Sequence, residues 1–106
     1  MKSGRRSTHM SDVVATLRDQ GEIERFTAAR QTLKQYLVHT RDILSGKDFL
    51  FSGPADELHE ALKILVEIEH RCSRFLQFDY AQIEEYFLLR IAGPPEHSHI
   101  IESYFE

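Results

Sequence analysis

Residues 58–75 read LHEALKILVEIEHRCSRF. Leu58, Ala61, Leu65, Ile68, Cys72 and Phe75 recur at alternating steps of three and four, the period that keeps side chains on one face of an α-helix. The opposite stripe, Asp56, Glu60, Lys63, Glu67, His70 and Arg74, is polar throughout. A segment so divided must bury one face against something. Its regularity predicts an all-α fold, a small antiparallel bundle of three or four helices with a short C-terminal helix or tail.

Upstream, a first helix is expected over Glu22–Leu44, with a short helical turn over Asp12–Arg18 set off by Gly21. Ile23, Phe26, Leu33, Leu37 and Leu44 carry the rhythm, and Ser45-Gly46 supplies a stop, because glycine takes the left-handed conformation that ends a helix. The connector KDFLFSGPAD holds Phe49, Leu50 and Phe51, read as a loop plugging the end of the bundle. Pro54 suits a first helical turn, and Asp56 and Glu57 suit the positive end of the helix dipole, so the second helix begins there and runs to about Phe78.

Downstream, Asp79 with Gln82 three residues on matches a capping box and predicts a third helix. Tyr80, Ile83, Phe87 and Ile91 form one of its faces. Leu88 and Leu89 make it apolar around much of its circumference, which calls for a second buried side. Gly93-Pro94-Pro95 ends it. In the tail EHSHIIESYFE, Ile100, Ile101, Tyr104 and Phe105 share one helical face. The organisation expected is therefore a basic tail or expression remnant over 1–10, a helical bundle over 11–95 and an amphipathic segment over 96–106. No internal repeat is visible.

With 106 residues and 42% hydrophobic content the chain is one domain able to bury a core. Its net charge is −4, yet Lys2, Arg5 and Arg6 give the first ten residues three bases and no acid. The remainder is therefore acidic and repels phosphate, which argues against nucleic acid as a partner. No apolar run is long enough to span a bilayer. A single cysteine cannot form an internal disulfide, so a soluble protein of the cytoplasm or another intracellular compartment is expected.

Candidate chemistry is sparse. Glu67 and His70 form the Glu-x-x-His pair that carboxylate bundles use to hold iron, but such sites need two pairs, and both residues lie on the wet stripe. His97 and His99 beside Glu96 form a His-x-His cluster lacking a third clear ligand. His59 and His70 point the same way but stand about 16 Å apart along a helix, too far to share an ion. Cys72 lies on the apolar stripe, where a cysteine acts as a small hydrophobe.

The segment His59-Glu60-Ala61-Leu62-Lys63 resembles the phosphoacceptor signature of histidine phosphotransfer domains, which are all-α and of similar length. In that family leucine follows the histidine two residues on, lysine three on and a small residue four on; here leucine and lysine are each displaced by one. The resemblance implies phosphotransfer at His59.

These observations favour a non-enzymatic protein-interaction module or small adaptor without cofactor, binding a protein partner or itself. Leu88, Leu89, Ile100, Ile101, Tyr104 and Phe105 are the expected contact residues. The alternatives are a phosphotransfer-like or metal-binding helical domain using His59 or His70, and a piece of a larger helical-repeat protein.

Overall fold

In a computed structural model, which describes Val13, Leu17 and residues 19–106, the chain is a two-layer α/β fold and not an all-α bundle. Helix α1 (Gln20–Tyr36) leads into a hairpin of β1 (Leu37–Ile43) and β2 (Gly46–Phe51). Helix α2 (Ala55–Cys72) leads into a second hairpin of β3 (Gln77–Ile83) and β4 (Tyr86–Ala92). A 3-10 turn (Pro95–His97) and the short α3 (Ser98–Glu102) follow. The chain thus uses the order helix, strand, strand twice. The hairpins join through their second strands, giving an antiparallel sheet in the order β1-β2-β4-β3.

Helix α2 is the element predicted from its period. Leu58, Ala61, Leu65 and Ile68 are buried, while Asp56, Glu60, Lys63, Glu67 and His70 are exposed. Leu62, Val66 and Glu69 widen the buried face. The helix ends at Cys72 rather than continuing to Phe78. Helix α1 is also present, started by Asp19, whose side chain accepts from the Gly21 N–H, but it stops at Tyr36. Of the expected turn over Asp12–Arg18, only Val13 and Leu17 are described, and both are buried.

Three expectations are corrected. The end of the first predicted helix, LVHTRDI, is strand β1, where Val38, Thr40 and Ile43 favour an extended backbone. The predicted loop plug is strand β2, and the predicted third helix is the hairpin β3–β4. Alternation decides each case. Phe49 and Phe51 point into the core with Leu50 reversed; Phe87, Leu89 and Ile91 point in with Leu88 and Arg90 reversed. The apolar excess of Leu88-Leu89 is therefore two faces of a strand, not two sides of a helix. The helical-repeat alternative rested on the same misread segment.

Both helices pack on one side of the sheet. Phe26 and Leu33 of α1 and Leu58, Leu62 and Leu65 of α2 are at 0% exposure beside the inward row of sheet residues. The C-terminal segment completes this core. Ile100, Ile101, Tyr104 and Phe105 are buried, with Phe105 edge-on to Phe49 and Phe51 at 5.1 and 5.7 Å. The buried Arg30 holds the chain end by donating to the carbonyl of Tyr104 at 2.6 and 3.2 Å and to that of Glu106 at 2.8 Å. The Tyr104 hydroxyl donates to the buried Glu69 carboxylate.

Candidate interaction surface

Among the described residues, the two long helices and the C-terminal segment lie on the core side of the sheet, and no described helix covers its other face. Register places its residues in rows across the strands. One row reads Arg41, Asp48, Arg90, Asp79 from β1 to β3; the next reads His39, Leu50, Leu88, Ala81. A third, at the β3–β4 turn, holds Tyr86 and Ile83 as register partners.

The charged row is built tightly. Arg90 donates to Asp48 through Nε at 2.7 Å and Nη2 at 2.9 Å, and Arg41 Nη2 donates to the same carboxylate at 2.8 Å. Asp48, gripped by both guanidinium groups, is only 3% exposed. Hydrogen bonds from Arg90 hold its carboxyl below the usual range; burial opposes this, and Arg41 adds to it. Asp79 lies close enough to help raise the Arg90 pKa. The row thus alternates plus, minus, plus, minus.

Beside it runs an apolar strip. Leu50 and Leu88 are half-buried neighbours, and Ile83 and Tyr86 are exposed by 49% and 36%. A shallow depression of about 230 Å³ lies among His39, Arg41, Asp48, Leu50, Ile83 and Leu88. Both hairpin turns that frame the sheet are two residues long and each uses one residue at positive φ, Ser45 (66°) and Glu84 (56°). Gly46 serves a different need: a Cβ there would run into the carbonyl oxygen of Ile91 on β4.

Of the six contact residues expected from the sequence, Leu88 lies on this open face. Leu89, Ile100, Ile101, Tyr104 and Phe105 lie in the core. Arg41, Asp48, Arg90, Leu50, Ile83 and Tyr86 escaped sequence reasoning, because their common face exists only once the segment is read with period two.

The candidate metal ligands are scattered. Glu67 and His70 are exposed on α2, where His70 Nε2 is 3.1 Å from the carbonyl of Phe78. The His97 ring packs at 4.5 Å from that of Phe75, and His99 is exposed. Among the described residues no group of three or more His, Cys, Asp or Glu side chains is placed to hold a metal ion. His59 is exposed, its ring 6.2 Å from that of Tyr80, on a chain without the helical bundle that the phosphotransfer resemblance implies. Cys72 is half-buried and burial raises its thiol pKa, which keeps it protonated at neutral pH. Among the described residues no helix is long and apolar enough to cross a membrane.

No protein-family model, curated protein or solved structure matches this chain.

Proposed function

We propose that this chain is a non-enzymatic protein-interaction module and that the open face of its sheet is the surface that meets the partner. One observation supports this above others. Leu50, Leu88, Ile83 and Tyr86 form a contiguous apolar strip on a sheet face, bordered by a charged row whose geometry is already set by three hydrogen bonds to Asp48. A rigid apolar patch with a polar border is the composition of a protein-binding surface. Preset guanidinium groups lose little freedom on binding. The lone half-buried thiol favours an intracellular, reducing setting.

Affinity capture from the native source tests the reading. The tagged chain and its Leu88→Glu variant, matched for thermal midpoint, are compared. Binding partners, or the untagged chain itself, should be retained by the first and lost from the second. Recovery of the same proteins by both would remove the open face from consideration.

A further inference from the structure

We infer that the occupant of the open face is a second copy of this chain, packed sheet against sheet about a two-fold axis running parallel to the strands. This rests on the interaction reading above and names its partner.

The row Arg41, Asp48, Arg90, Asp79 is antisymmetric about the line between β2 and β4. A two-fold axis along that line, lying between two facing sheets, sets β1 over β3 of the other copy and β2 over its β4. Arg41 then faces Asp79 of the second copy, and Asp48 faces its Arg90. Each row meets its own counterpart, so Leu50 faces Leu88 and Leu88 faces Leu50. A two-fold axis across the strands would instead set Arg on Arg and Asp on Asp. Self-complementarity under one operator is what an isologous interface requires, and aligned packing of two sheets about 10 Å apart is the ordinary way to bury such a face.

Charge also selects this face over the rest of the molecule. The chain carries a net charge of −4, so two copies repel on average. The ladder face, with two arginines and two aspartates in its charged row, is locally balanced. Asp48 is already shielded from water within one copy, which lowers the cost of covering it. Edge pairing is a poor rival: β1 is exposed from Val38 to Asp42 and carries His39, Arg41 and Asp42, and charged side chains blunt a sheet edge.

Size sets the expected strength. Four strands about 4.8 Å apart and at most seven residues long at about 3.3 Å each give a face of at most roughly 19 by 23 Å. That is below the ~800 Å² per partner of standard interfaces, so a reversible dimer of modest affinity is expected.

Sedimentation equilibrium with a charge swap tests the inference. The unmodified chain should show a monomer–dimer equilibrium that weakens with salt. Asp79→Arg alone sets two bases against each other at both ends of the ladder, and Arg41→Asp alone sets two acids together. Each variant, confirmed folded by circular dichroism, should dimerise about 10- to 100-fold more weakly. An equimolar mixture of the two restores both oppositely charged pairs and should recover the dimer. Should Arg41→Asp fail to fold, Leu88→Glu, which sets a carboxylate against Leu50 of the second copy, must give the same loss of dimer. A chain that stays monomeric to about 1 mM, while Leu88→Glu still abolishes capture of other proteins, overturns the second copy and leaves the interaction surface standing. A dimer indifferent to all three substitutions overturns the inference, and the capture experiment then decides the interaction reading by itself.

Discussion

Asp48 on β2 and Arg90 on β4 are register partners, and Arg90 grips the Asp48 carboxylate at 2.7 Å from Nε and 2.9 Å from Nη2. The pair spans the junction of the two hairpins, the seam that joins the two halves of the sheet. A contact on an open sheet face therefore bears on how the whole sheet is joined.

Removing that carboxylate's charge should be costly and pH-dependent. Asp48→Asn should lose about 1–3 kcal/mol at neutral pH, the range for a hydrogen bond to a charged group and the desolvation it offsets. Because the folded-state pKa of Asp48 is lowered, chiefly by Arg90, its contribution is present above the ordinary carboxylate pKa of about 3.9 and is lost as pH falls through the lower folded value. Urea melts of dilute protein at several pH values should show the gap between the two chains closing below about pH 4. A constant gap from neutral to acid pH would mean that the ladder contributes nothing specific.

Helix α2 was legible because its partner surface is continuous: every third or fourth residue from Leu58 to Ile68 meets the core, so period alone betrays it. The hairpins were not, for identifiable reasons. Their turns lack the usual Asn-Gly or Asp-Gly signal. Glu84 takes φ 56° where glycine or asparagine is the common choice, and the Ser45-Gly46 pair mimics a helix stop although Ser45 carries the positive φ. Edge strand β1 buries almost nothing, so it shows no alternation, and Leu37 and Leu44 prolong the helical rhythm of α1 by coincidence. Leu88-Leu89 reads as apolar excess under helical spacing; the alternation of Phe87, Leu89 and Ile91 against Leu88 and Arg90 assigns the two leucines to opposite faces of β4.

The turn at Glu84 gives a stability prediction of unusual sign. Glu84→Gly should stabilise the chain by up to about 1 kcal/mol, since relief of the left-handed backbone outweighs the entropy that glycine adds to the unfolded state. Thermal melts of the two chains decide it. A lower midpoint for the glycine variant would show that the turn depends on the Glu84 side chain.

Orientation of α2 is tested by two substitutions two residues apart. Leu65, at 0% exposure, should cost about 2–5 kcal/mol when changed to alanine. Lys63, exposed on the opposite face, should stay within about ±0.5 kcal/mol. Equal effects in denaturant melts would contradict the packing described.

The chain end should behave as core. Tyr104→Phe removes the hydroxyl that donates to the buried Glu69 and should cost about 1–3 kcal/mol. Deleting residues 98–106 removes Ile100, Ile101, Tyr104 and Phe105 together with the carbonyls that Arg30 holds, and should cost more than Leu65→Ala. An unchanged midpoint after the deletion would make the segment a detachable arm.

The central claim, an open sheet face that a second copy covers, is tested most directly by the thiol-modification rate of Leu88→Cys in a Cys72→Ala background, measured against protein concentration. Leu88 lies on the open face and Leu89, its neighbour, at 0% exposure on the core face. The account predicts rapid modification of Leu88→Cys in dilute solution, slowing as the dimer fills, with Leu89→Cys slow throughout. A rate for Leu88→Cys that does not change with concentration, or one as slow as that of Leu89→Cys in dilute solution, would contradict it.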